Sequence, residues 1–201
     1  MAKTVAAISL ILAVALNFST CTPRFDCANT TYNFEIGVKA YPDEDSIHVG
    51  DTIWFEINES TAVKDIQSGK IIDYSGAENL GSAIGFGKYM GINNATEAAN
   101  SFNYVLITGI LVNNPNTLQI REFLFVQQND RYLFKLGIIP KEVGVFGVGF
   151  SNAANVYRKS DACTKANFTI NFKETNQHYY LNPNFQGGPP PTGGDYYFKV
   201  N

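Results

Sequence analysis

Histidine and cysteine are scarce in this chain of 201 residues, which has two of the first and three of the second. Metal centres and imidazole-driven catalysis both draw on these side chains. His48 sits in a β-like run, and His178 lies between Asn176-Gln177 and Tyr179-Tyr180, neither with a second histidine or a cysteine at metal-ligand spacing. No metal and no other cofactor is expected. Charge is also thin, with 15 Lys and Arg against 18 Asp and Glu. The basic residues are scattered singly, so neither the stripe that follows a nucleic-acid backbone nor a polybasic lipid patch is present. Nucleic acid is not an expected partner. Long apolar runs are missing as well. The best, Val5 to Leu16, spans 12 residues, against the roughly 20 that a helix needs to cross a bilayer.

Catalytic signatures fail on spacing. Gly81-Ser82-Ala83-Ile84-Gly85 places its serine next to the first glycine, one residue short of a nucleophile elbow. Gly85-Phe86-Gly87-Lys88-Tyr89-Met90-Gly91 brings its third glycine one residue late for a dinucleotide fingerprint, and reads as loop flexibility. Asp43, Glu44, Asp45, Asp65, Asp73 and Glu78 fall in loop candidates, where paired carboxylates would serve glycoside hydrolysis. Asp43-Glu44-Asp45 does not follow the ordered calcium-loop pattern and reads as a solvated turn. The expectation is a protein that is not an enzyme, with a hydrolase using loop carboxylates as the alternative.

What the chain does have begins at its start. Lys3, the apolar run and Asn17-Phe18-Ser19-Thr20 lead into Cys21, and this segment resembles a bacterial lipoprotein signal ending at a lipid-acceptor cysteine. Phe18 and Thr20 depart from the usual Leu and small residue of that box. A plain secretory cleavage near Ala13-Val14-Ala15 is the alternative, and would leave Cys21 an ordinary cysteine and the protein secreted. The lipoprotein reading implies a signal over residues 1–20, a tether over 21–30, and a location in the cell envelope at the outer membrane, facing either the periplasm or the exterior. Removing residues 1–20 takes the net charge from −3 to −4. With Cys21 acylated, Cys27 and Cys163 are left to pair in a disulfide. The closed loop would be worth at most about 5 kcal/mol by chain entropy.

Residues 31–201 read as a single all-β domain. Tyr32, Phe34, Ile36, Val38 and Ala40 alternate with Asn33, Glu35, Gly37 and Lys39, the period of a half-buried strand. The turn at Tyr41-Pro42-Asp43-Glu44-Asp45 returns the chain through Ile47 to Asn58. Further strands are expected over Tyr104–Val112, Thr117–Gln127, Arg131–Ile139, Val143–Ser151, Phe168–Phe172 and Asp195–Val200, with turns at Asn113-Asn114-Pro115-Asn116 and Gln128-Asn129-Asp130. Ser46 to Phe55 resembles the second strand of immunoglobulin-like and cupredoxin-like sandwiches, which implies an antiparallel two-sheet fold. A blue-copper site would need two histidines and a free cysteine, so copper is not expected. Residues 59–102 read as a long loop-rich insert, with one short helix signalled by Asn94 and Glu97. The Gly/Pro-rich stretch 187–194 reads as an exposed loop that returns a final strand.

Tyr179-Tyr180 and Tyr196-Tyr197, with Asn176, Gln177, Asn182, Asn184 and Gln186 nearby, are candidates for a glycan or peptide platform. Ordinary sheet-surface tyrosines give the same pattern. The N-x-S/T triplets at Asn29, Asn58, Asn94 and Asn167 arise readily by chance in an Asn-rich chain. The chain as a whole resembles bacterial envelope lipoproteins built on an immunoglobulin-like β-sandwich. That resemblance implies a non-catalytic binding or structural module, held to the membrane by its lipid, with a glycan or protein partner. An accessory subunit of an envelope complex is a further alternative.

Overall fold

The computed structural model describes residues 30–112, 120–189 and 194–201. The expected signal segment, Cys21, nearly all of the tether including Cys27, the turn at residues 113–116 and residues 190–193 of the Gly/Pro-rich loop lie outside them. In chain order the strands are β1 (Thr30–Tyr41), β2 (Ser46–Ile47), β3 (Ile53–Ser60), β4 (Ala62–Lys64), β5 (Ile71–Asp73), β6 (Gly81–Gly91), β7 (Asn94–Glu97) and β8 (Phe102–Thr108). They continue as β9 (Ile110–Leu111), β10 (Ile120–Leu124), β11 (Val126–Gln128), β12 (Arg131–Pro140), β13 (Gly144–Phe150), β14 (Ala153–Arg158), β15 (Asp161–Phe172) and β16 (Tyr196–Val200).

The protein is an all-β sandwich. One seven-stranded sheet runs β11-β12-β3-β1-β15-β14, with β8 also paired to β12; the other runs β2-β16-β13-β6-β10-β9, with β7 also paired to β6. A small β4-β5 hairpin stands apart. Aromatic rings join the sheets: Phe55 of the first meets Phe150 and Tyr196 of the second at centroid distances of 5.8 and 6.0 Å. Such edge-to-face pairs add to the area they bury. Inward positions follow period two, with Phe34, Ile36 and Val38 on β1, and Phe168, Ile170 and Phe172 on β15, all in the core.

Three expectations change. The sheets are mixed rather than antiparallel, because β1 lies parallel to β15 from Thr30–Thr164 to Val38–Phe172, and β2 lies parallel to β16. Parallel neighbours need a long connection, and here almost the whole domain supplies it. Residues 59–102 are not a loop-rich insert: they carry β6, which sits between β13 and β10 in the second sheet. Asn94 to Glu97 form strand rather than helix, since Gly87–Glu97 and Tyr89–Ala95 pairing with β6 outweighs the capping signal. Only a three-residue 3₁₀ turn, Ala99–Ser101, follows.

The chain also changes sheets twice where single strands are expected. Between β8 and β9 it turns at Gly109, whose φ of +128° suits only glycine. Between β10 and β11 it crosses back at the buried Phe125, whose ring packs 5.5 Å from Phe134. By contrast, the Asn129-Asp130 turn forms as expected, both residues at φ of 50–56°, the left-handed pair that closes a tight hairpin between β11 and β12.

The first sheet's core closes on Phe168. It is fully buried and meets Phe34, Tyr74 and Tyr132 at 5.2, 5.7 and 6.1 Å. Tyr74, also fully buried, sends its hydroxyl to the carbonyls of Val156 at 2.9 Å and Thr164 at 3.1 Å. Phe168→Ala should cost about 3–5 kcal/mol of unfolding free energy. Urea denaturation of both proteins reads this directly, and a loss under about 1 kcal/mol would contradict the packing described.

Candidate functional site

The two faces of the second sheet differ sharply. On β6, Ile84 and Phe86 face the core, so Ala83, Gly85, Gly87 and Tyr89 face outward. On β13, Phe146 and Val148 face inward and Gly147 and Gly149 outward. The register sets Gly87 opposite Gly147 and Gly85 opposite Gly149. Four glycines therefore form a square on two adjacent central strands.

Around this square the flanking strands raise walls. Tyr197 of β16 pairs with Gly147, Glu97 of β7 with Gly87, and Ile120 of β10 with Gly85. The result is an open trough of about 660 Å³, with Thr96, Ser151 and Asp195 also on its lining. That volume lies within the range of small-molecule sites.

The glycines have different reasons to be there. A Cβ on Gly149 would stand 2.1 Å from Asp195 Oδ1, and one on Gly147 would stand 3.0 Å from both the Tyr197 and Tyr89 rings. These two let the walls close over the floor. Gly85 and Gly87 meet no such demand. Their nearest neighbours would be 4.0 and 3.7 Å away, and neither has a positive φ.

The lining holds two acids, the exposed Glu97 and the more deeply set Asp195. Burial raises its carboxyl above the ordinary aspartate range, and a 3.4 Å bond from the Tyr197 hydroxyl offsets this only in part. Burial likewise raises the phenols of Tyr89 and Tyr197, so both stay neutral donors. Their rings lie 5.6 Å apart, and Asn182 Nδ2 donates to the Tyr197 hydroxyl at 3.0 Å. A carboxyl whose pKa is raised by burial in a cleft marks a candidate site.

The residues expected to form a tyrosine platform do not share one surface. Tyr196 is fully buried, its ring 5.7 Å from Phe172, with its hydroxyl on the Glu44 carbonyl at 3.1 Å. Tyr197 is 6% exposed, its ring packed over Gly147 and against Tyr89 behind the trough lining. Tyr179 is half-buried between Phe185 and Tyr197, whereas Tyr180 is exposed and turns its hydroxyl to Asp45. Core demand at Tyr196 splits the second pair, as alternation in a strand requires.

Loop carboxylates are similarly dispersed. Asp65 is buried and spent on the Asn33 and Ser68 amides at 2.9 and 2.7 Å, with the Asn33 bond foremost in lowering its pKa. Asp73 accepts from the Ser75 amide at 3.0 Å, and Asp43 from the Asn176 amide at 2.8 Å. His178 is buried with Nδ1 3.1 Å from the Tyr197 carbonyl, whereas His48 is exposed beside Asp51. Ser82 bonds the Ser151 carbonyl at 2.9 Å and closes the sheet. Cys163 is a disulfide cysteine; the expected partner, Cys27, lies outside the described residues. Among the described residues no group of three metal-ligating side chains occurs, and no helix is long and apolar enough to cross a membrane.

A second cleft, of about 440 Å³, opens where β1 and β3 diverge. Its groups are already engaged: Lys39 meets Glu174 at 2.6 Å, Lys173 meets Glu35 at 3.7 Å, and the Gly37 amide donates to Glu59 at 3.2 Å. The trough is the better candidate because no Lys or Arg lines it to neutralise its acids.

No family model matches the chain, and the search of curated proteins returned no match. Among solved structures, the CupB6 tip adhesin from Pseudomonas aeruginosa aligns at 14% identity over 73% of this chain and 41% of that one, with a TM-score of 0.21. This chain thus spans less than half of that protein, and a TM-score of 0.21 is too low to bear on fold or function.

The raised Asp195 pKa has a signed consequence. Below the unfolded value of about 3.9, both states are protonated and the carboxyl costs nothing. As pH rises past that value, the unfolded chain ionises freely while the folded state resists, so stability falls until the folded pKa is passed. Asp195→Asn should therefore be more stable than wild type at pH 7, with the gap closing towards pH 4. Thermal melts across that range check this, and a pH-independent gap would refute it.

Proposed function

We propose that this protein is a non-catalytic, lipid-anchored binding module of the bacterial envelope, and that the glycine-floored trough is its ligand surface. One observation carries the reading: Gly85 and Gly87, in a central strand, are glycines for no reason of backbone or packing. A glycine in mid-strand weakens the fold by about 0.5–1 kcal/mol against alanine. Keeping two of them leaves the floor bare along β6, next to Tyr89. An immunoglobulin-like ancestry, acylation at Cys21 and a Cys27–Cys163 staple belong to the same proposal. They rest on the sequence, with the disulfide state of Cys163 in support of the last.

Two experiments test this. Gly85→Ala and Gly87→Ala should each raise stability by about 0.5–1 kcal/mol, whereas Val at both positions should also fill the trough. Fragments drawn from polyols, amines, amides and short saccharides should shift the amide signals of Gly85, Gly87, Gly147 and Gly149 in the wild type and not in the double Val variant. Shifts that gather elsewhere would sink the assignment. Separately, a fatty-acid analogue fed to expressing cells should label wild type and not Cys21→Ala, and equal labelling would remove the anchor.

A further inference from the structure

We infer that the trough takes a glycan chain without acidic groups, an inference that rests on reading the trough as the binding surface. The lining contains two acids, Asp195 and Glu97, and no Lys or Arg. Such a surface repels phosphate, sulfate and uronate groups, and offers acceptors to hydroxyl and amine donors. Carboxylate acceptors make the stronger, charge-assisted bonds.

Shape points the same way. Gly85 and Gly87, two positions apart on β6, leave a bare strip about 7 Å long on which a sugar ring can lie, bordered by the Tyr89 and Tyr197 rings and Asp195 where they cover Gly147 and Gly149 of β13. At one end the Tyr89 ring, backed by the buried Tyr197 ring 5.6 Å away, provides an apolar wall for the carbon face of a sugar and a hydroxyl for its edge. At the other end Ser151 supplies a hydroxyl beside Ala83, its amide bonded to the Ala83 carbonyl at 2.9 Å.

The outward row Ala83, Gly85, Gly87, Tyr89 runs about 20 Å along β6. That exceeds a single ring, so the occupant is an oligosaccharide segment rather than a monosaccharide.

The test uses the mature full-length protein against tetrasaccharides of matched length: a neutral glucan, an N-acetylated and a free amino glucan, an oligo-uronate and a sulfated glycan. At least one neutral or amino member should bind and shift the four trough glycine amides. Asp195→Asn should weaken that binding about tenfold, the loss of one charge-assisted bond. Gly85→Val with Gly87→Val should abolish it while the melting temperature stays at or above that of wild type. Preference for the uronate or sulfated member would overturn the inference, as would binding indifferent to both variants. If amine or amide fragments shift the trough glycines and no saccharide does, the glycan assignment falls and the binding surface stands. If no probe of any class reaches those glycines, both fall.

Discussion

The parallel ladder between β1 and β15 is the constraint on which the rest of the domain depends. Its register, Thr30 with Thr164 through Val38 with Phe172, holds together segments more than 130 positions apart. It also sets Phe34, Ile36 and Val38 beside Phe168, Ile170 and Phe172 on one face. A one-residue slip would turn either row out to solvent. The second parallel pair, β2 with β16, repeats the device in the other sheet. Both join an early strand to a late one. Everything between is thereby confined to closed loops, and the middle of the chain has to supply the centre of the second sheet.

That role falls to β6, and it explains how a sheet can bear an empty outer face. Stability comes from the inner face, where Ile84 and Phe86 on β6 and Phe146 and Val148 on β13 are at most 2% exposed. With the core saturated, the outward positions are free of packing duty. They can be left without side chains at a modest cost in conformational entropy. At Gly147 and Gly149 the neighbouring Tyr197, Tyr89 and Asp195 fill the vacated space. At Gly85 and Gly87 nothing does. The trough is thus the difference between a sheet that closes over its own outer face and one that stops halfway.

The sequence reveals one side of this arrangement and conceals the other. Alternation exposes β1, β3, β12 and β15, because large side chains mark every second position there. The Asn129-Asp130 hairpin is legible from its turn chemistry alone. β6 is not, since the glycines that make its outer face a floor also remove the polar half of the alternating pattern, leaving it to read as a flexible insert. The changes of sheet at Gly109 and Phe125 are hidden for another reason: a run of strand-forming residues reads the same whether its partners lie in one sheet or in two. Asn94 and Glu97 carry a sound local capping signal, and long-range pairing with β6 overrides it. In the site, adjacency correctly requires that Tyr196 and Tyr197 face opposite ways. Only the cross-strand register shows that Tyr197 joins Tyr89 and Gly147. Asp195 is masked by the Gly/Pro-rich run before it, which draws attention to the loop rather than to its last polar residue.

The layout of the two sheets also reconciles an anchor with an open ligand surface. β1, the first described strand, lies inside the first sheet, and the disulfide cysteine Cys163 lies on β15 next to it. The trough opens on the second sheet, on the face opposite to the shared core. A tether from Cys21 would therefore join the domain on the side away from the trough, and a staple at Cys163 would hold that junction to the parallel ladder. The strand that begins the fold and the strands that build the floor belong to different layers, separated by the aromatic core. On the proposed reading, membrane attachment and ligand capture would make no competing claim on any surface, and the outer face of the second sheet would be free to be shaped by a ligand alone.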